Sequence, residues 1–154
     1  MDIEKIIREY IDKTIHMSLA TCVDNKPWVC EVHFTYDESL NLYWRSTEAR
    51  RHSQEITVNS NVAGNIVAQH KVGEYPAAIY FEGTAEIVED ESLFEEMAQL
   101  FMKREIGDDS IIEDAKKPDG HKFYKISVDN WYAFGKFDGE KGHKYKLEWR
   151  GGKS

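Results

Sequence analysis

Arg45, Ser46, Thr47, Arg50 and Arg51 fall within the stretch Leu42 to Gln54, which reads L-Y-W-R-S-T-E-A-R-R-H-S-Q. These are the residue types that hold a phosphate. The first residues of the stretch read as a strand ending in Tyr43 and Trp44, and the last as the opening of a helix carrying Arg50 and Arg51. Ser46 or Thr47 supplies a hydroxyl of the kind that caps a helix N-terminus. Such an end presents unpaired backbone N–H groups and a partial positive charge, which suits an anion. Two guanidiniums beside it add charge-assisted, bidentate bonds to phosphoryl oxygens. A planar aromatic such as Trp44 at the strand end is placed to flank a ring attached to that phosphate. The chemistry expected is the holding of a planar, phosphate-bearing cofactor. The same residues also suit a solvated helix face, so the elements around them have to decide.

Ile3, Ile6, Ile7, Tyr10 and Ile11 recur at helical spacing and predict a helix over about Asp2 to Lys13. His16 to Val23 reads as a strand, followed by the turn cluster Asp24-Asn25-Lys26-Pro27. Trp28, Cys30, Val32, Phe34 and Tyr36 then alternate with Val29, Glu31, His33 and Thr35, a period-two signal for a second strand. With Leu40 to Arg45 as the third, these predict an antiparallel meander. A helix over about Thr47 to Val58 follows, then strands over Val62 to Gln69 and Ala77 to Glu89. Gly83 in the middle of the latter marks a bulge, a bend or a close approach. Leu93, Phe94, Met97, Ala98, Leu100 and Phe101 form the apolar stripe of another helix, begun by Asp90 or Ser92, that serves core packing or dimer contact. Residues 107–120 are polar and acidic, which predicts a loop. Phe123 to Val128, Trp131 to Phe137 and Tyr145 to Trp149 complete the strands. The expected class is mainly β (α+β). Its form is a six- to seven-stranded antiparallel barrel with an N-terminal helix and two inserted helices.

Composition narrows the functions. A chain of 154 residues is expected to form one domain over 1–154. A formal charge of −8 argues against a general nucleic-acid binder, which needs a basic face. Cys22 and Cys30 have no metal-ligand spacing and read as two free, mostly buried thiols in a reducing cytoplasm. No charged-then-apolar leader opens the sequence and no apolar run reaches membrane length, so no membrane partner is expected. His16, His33, His52, His70, His121 and His143 show no short metal spacing, and no metal site is expected. Glu31 and His33 share one strand face as possible proton donors or as plain solvent-facing residues. His52, next to the arginine pair, reads as an exposed helix histidine or an aid to phosphate binding.

The order of elements, with Leu42 to Ile56, Asn61-Val62-Ala63-Gly64 and Glu82-Gly83-Thr84-Ala85-Glu86, resembles the FMN-binding split barrel of the pyridoxamine 5′-phosphate oxidase-like superfamily. Glu48 to Ile56 and Phe134-Gly135-Lys136 look most like a small bacterial branch of it. The resemblance implies an FMN-dependent oxidoreductase acting as a homodimer on a small molecule. It implies the FMN phosphate near Arg45, Ser46, Thr47, Arg50 and Arg51. The isoalloxazine would lie along Val29, Cys30, Glu31 and Val32 and at Trp44, and Asn130 to Lys136 or Arg150 would reach the neighbouring subunit's flavin. The family's oxidases carry an Arg-x-Val-Leu-Leu-Lys strand and end in Arg-Leu-His-Asp-Arg. Here the corresponding runs are Val29-Cys30-Glu31-Val32-His33-Phe34 and Lys146-Leu147-Glu148-Trp149-Arg150. The resemblance therefore carries the fold and cofactor, not pyridoxamine phosphate as substrate. Relatives leave two alternatives: a flavin- or haem-binding protein without turnover, or a deazaflavin-dependent reductase.

Overall fold

The structure, a computed structural model, describes residues 1–139 and 142–149. The first helix, α1 (Ile3–Ile11), starts where the Asp2 carboxylate accepts the Lys5 N–H, and buries Ile7, Tyr10 and Ile11. Strands β1 (His16–Val23) and β2 (Lys26–His33) form a hairpin around Asp24 and Asn25, both at positive φ, as a tight two-residue turn requires. The chain continues through Phe34 into the two-residue β3 (Thr35–Tyr36), which pairs with β4 (Leu42–Ser46). Next come α2 (Arg51–Val58), β5 (Asn61–Ile66), β6 (Ala78–Ile87) and a single 3-10 turn, Glu91–Leu93. The rest comprises α3 (Phe94–Lys103), α4 (Ser110–Lys116), β7 (Lys122–Gly135) and β8 (His143–Glu148).

All pairings are antiparallel, in the order β2-β1-β5-β6-β7-β4-β3, with β8 added to β7. Because β2 runs directly into β3, the two ends of that order belong to one stretch of chain. The sheet therefore closes on itself near Phe34 and stays open further along, where β2 and β4 diverge. That gap is the split of the barrel. At the β6–β7 pairing the register shifts between Glu82 and Gly83. A Cβ on Gly83 would lie 2.2 Å from the Ser127 carbonyl oxygen, so the close approach expected at this glycine is real.

Leu19, Phe34, Leu42, Trp44, Phe81, Ile126 and Trp131 fill the barrel. A second apolar cluster, with Tyr43, Phe94, Met97, Phe101, Ile111 and Phe123, lies where α3 and α4 cover the outer face of β4 and β7. Strand β4 is thus buried on both faces, which is why Tyr43 and Trp44 are consecutive aromatics.

The chain forms the mainly β, α+β split barrel expected, with eight strands among the described residues. Several local expectations are corrected. The meander is only half realised, since β4 meets the second strand through the two pairs Thr35↔Tyr43 and Tyr36↔Leu42 and otherwise pairs with β7. The period of two fails at Phe34 and Thr35, both buried, because the chain crosses there from one sheet edge to the other. Residues 123–137 hold no break: β7 is one long strand to Gly135 that carries its own bulge, with Asp129 as the extra residue between Val128 opposite Gly83 and Asn130 opposite Glu82. The acidic segment 107–120 is not a loop throughout but contains α4, anchored by Ile111 and Ala115. Neither Ser46 nor Thr47 caps α2. Ser46 ends β4, and the N-cap position is Arg50, with no side-chain cap bond.

Candidate functional site

The gap between β2 and β4 opens into a cleft of about 590 Å³. Trp28, Cys30 and Val32 line one wall, Arg45 and Ser46 the other, and Arg50, Arg51 and His52 the start of α2. Phe101, Ile106 and His121 close the far end. A volume in this range suits one small organic ligand. The exposed edge of β2 faces the gap, because β2 ends the strand order and pairs only with β1.

The basic residues are held differently. The Arg51 guanidinium lies 4.2 Å from the Trp28 ring centroid, and its Nε–H donates to Glu55 at 2.8 Å. Glu55 also accepts the Thr21 hydroxyl, and these bonds from Arg51 and Thr21 hold its carboxyl below the usual range. Arg45 donates to Asp114 at 3.0 Å, while its buried Nε–H has no partner among the described residues. Burial lowers the Arg45 pKa, and Asp114 and Asp108 oppose that shift. Asp114 also accepts from the His121 backbone N–H. Burial pushes the Asp114 carboxyl up, yet the contacts with His121 and Arg45 outweigh it and its pKa is lowered. Arg50 forms no ion pair among the described residues and stands exposed at the mouth.

His52 is 7% exposed and bridges two walls of the cleft. Its Nε2 lies 2.9 Å from Ser46 Oγ and its Nδ1 3.4 Å from Cys30 Sγ. Burial first, then the Arg50 charge, lowers its pKa. Burial and the neighbouring Glu31 raise that of the Cys30 thiol. Both cysteines are free and half-buried.

Of the residues singled out in the sequence, Cys30, Glu31, Val32, Arg45, Ser46, Arg50 and Arg51 line this one cleft. Val29, Trp44 and Thr47 do not. Val29 is 60% exposed on the other face of β2. Trp44 is fully buried, stacked on Tyr124 at 5.0 Å inside the barrel, so it cannot flank a ligand ring. Thr47 accepts the Arg50 N–H through its backbone carbonyl in the turn before α2. Glu31 and His33 reach the rim but are turned to β1: Glu31 accepts from Ser18 and lies 3.8 Å from His16, on whose ring His33 packs edge-on. His52 is not the exposed helix residue expected. Trp28, Phe101, Ile106 and His121 were not singled out as site residues. Only Trp28 had a legible signal, since it shares the strand face of Cys30 and Val32. Arg150 lies outside the described residues, and no group of three or more His, Cys, Asp or Glu among the described residues is arranged to hold a metal.

Fold and cleft together define a split antiparallel barrel with a basic, partly apolar cleft at its opening. The chain belongs to the pyridoxamine 5′-phosphate oxidase family, whose model matches residues 3–135. No curated protein matches it significantly. It is similar to the general stress protein 26 of Bacillus anthracis, at 22% identity over 96% of this chain and 100% of that one, with a TM-score of 0.65. It is also similar to a FAD-binding protein of Mesorhizobium loti, at 18% identity over 86% and 93% of the two chains, with a TM-score of 0.64. A heme binding protein of Mycobacterium smegmatis shares 16% identity over 92% of this chain and 55% of its own length, with a TM-score of 0.68. At such identities these likenesses show the fold. No helix among the described residues is long and apolar enough to cross a membrane.

Proposed function

We propose that residues 1–154 act as one FMN-binding unit, a homodimeric oxidoreductase that brings a small-molecule substrate to the flavin. One observation carries the reading: three arginines converge on a single cleft, and among the described residues one has no ion-pair partner and one keeps a buried N–H without an acceptor. A dianionic phosphate ester would give Arg50 the counter-charge it lacks, because charge-assisted bonds are strongest where guanidinium donors have no competing carboxylate. In this reading Arg50, Arg51 and the Ser46 hydroxyl bind the phosphate, with Arg45 completing the set. Trp28, already fixed under Arg51, orients the planar ring system along the free edge of β2. Val32, Phe101 and Ile106 exclude water around it. When bound, FMN would supply the hydride or electron transfer that the side chains here do not.

Family membership and the FAD-binding neighbour support a flavin. The rival reading, a flavin- or haem-holding protein without turnover, draws on the same cleft and the heme binding neighbour. Against haem stands His52, whose two ring nitrogens are both engaged. The absorption spectrum of the purified protein, followed by a fluorescence titration with FMN, tests the reading. Flavin bands and saturable quenching are expected. A haem Soret band, or no change on adding FMN, overturns it. Oxidation of NADH or NADPH with an acceptor then separates enzyme from binder.

A further inference from the structure

Of the Cys30–His52–Ser46 chain only the Ser46 hydroxyl has a part in holding the phosphate, and the chain as a whole has the order of a nucleophile, its base and an orienting group. A half-buried thiol lies 3.4 Å from an imidazole nitrogen, and the other nitrogen is fixed 2.9 Å from a hydroxyl. A nucleophile, a base and a third group orienting that base are the parts such catalysis needs. If the His52 proton sits on Nε2 and points at Ser46 Oγ, Nδ1 is left as acceptor for the Cys30 S–H. Burial and Glu31 raise the pKa of the thiol while burial and Arg50 lower that of the imidazole, so the pair rests uncharged and the thiolate forms only in step with attack on the disulfide. Cys30 opens onto the cleft that Arg50 and Arg51 make cationic. Cys22, half-buried too, has no imidazole partner among the described residues.

We propose that Cys30 is a thiol–disulfide exchange site for anionic low-molecular-weight disulfides, with His52 as its base, Ser46 as a positioning residue and Arg50 and Arg51 as the carboxylate anchor. Exchange suits this cleft because it needs a thiol, a base and room for the leaving sulfur, and no stabilised oxyanion. The Cys30 S–H bond breaks and its proton passes to His52 Nδ1. Sγ bonds the nearer sulfur of the disulfide, whose S–S bond breaks. The departing thiolate takes the proton from His52 and leaves as a thiol. Cys30 is oxidised to a mixed disulfide and the departing sulfur is reduced, so atoms and electrons balance.

The probe is glutathione disulfide, mixed with the purified protein without added FMN and followed by peptide mass spectrometry. Expected is one glutathionyl group on Cys30, appearing at least about tenfold faster than on Cys22. His52→Gln should slow modification of Cys30 by about a hundredfold, the usual scale of a positioned base, and leave Cys22 unaffected. Should that variant not fold, Ser46→Ala is read instead, with a smaller loss confined to Cys30. Arg50→Ala with Arg51→Ala should lower the preference for glutathione disulfide over the uncharged 2-hydroxyethyl disulfide by about tenfold, or ~1.4 kcal/mol. Equal rates at Cys22 and Cys30, or a Cys30 rate indifferent to His52, overturns the proposal. A protein that exchanges but does not take up FMN sinks the flavin reading alone, and one that binds FMN without exchange sinks only this site.

Discussion

Two of the molecule's hollows carry opposite charge, and they are built on opposite principles. The one at the barrel's split carries Arg45, Arg50, Arg51 and three histidines. The other, about 380 Å³ beneath α3, is lined by Asp37, Glu86, Glu89, Asp90 and Glu96, with Lys125 as its single cation. In the acidic hollow the best-placed carboxylates are spent on the fold. Asp37 accepts from the Ser39 and Asn41 backbone N–H groups, the Asn41 amide and the Tyr43 hydroxyl. Asp90 caps the 3-10 turn through Ser92, and these bonds hold its pKa down. In the basic cleft, by contrast, Arg50 forms no ion pair among the described residues and Arg45 keeps an Nε–H with no partner among them. Charge alone does not mark a site. What sets the basic cleft apart is cationic donors gathered along one opening.

The sharpest way to break this comparison is to remove the two arginines at the mouth. Arg50→Ala with Arg51→Ala should weaken FMN binding by about a hundredfold or more, since a hydrogen bond to a charged group contributes about 1.5–3 kcal/mol. Isothermal titration measures it, and an unchanged affinity would end the phosphate assignment. In the other hollow the matching change should strike the fold and not a ligand. Asp37→Ala strands several buried donors and should cost about 2–3 kcal/mol of stability in a denaturant titration, with FMN affinity kept.

Asp114→Asn tests the intermediate case. Weakening the Arg45–Asp114 pair returns Arg45 to the cleft and should tighten anion binding about threefold, on the scale of a partly exposed ion pair. Looser binding in that titration would show Asp114 to be an orienting residue instead. The smallest effect concerns pH. The folded-state pKa of His52 lies below its ordinary 6.5, so the unfolded chain takes up the proton first. Stability should therefore fall as pH drops from about 6.5 toward that lower value and level off beneath it. His52→Gln should flatten this part of the melting-temperature profile.

Much of the fold was legible because it rests on local pattern. The five apolar residues of α1 recur every three to four positions, and the β1–β2 hairpin needs only an Asp-Asn turn between alternating strands. The close approach at Gly83, opposite the bulge in β7, announced itself by a residue without a side chain. The cleft was half legible: the basic residues cluster in sequence, and so they cluster in space. The role given to Trp44 was not, because an aromatic at a strand end looks the same whether one face of that strand is covered or both. Here α3 and α4 cover the outer face, and Trp44 belongs to the barrel interior.

Sequence alone determined most of the elements, α4 and the unbroken β7 apart, together with the antiparallel class and the basic segment, since each follows from periodicity and turn chemistry within a dozen residues. Tertiary structure decided which charges are free. Arg45 is neutralised by Asp114, sixty-nine positions away, and His52 meets Cys30 only because α2 packs over a strand it does not adjoin in sequence. Such pairings depend on how the sheet closes around its core, and closure is a property of every strand at once.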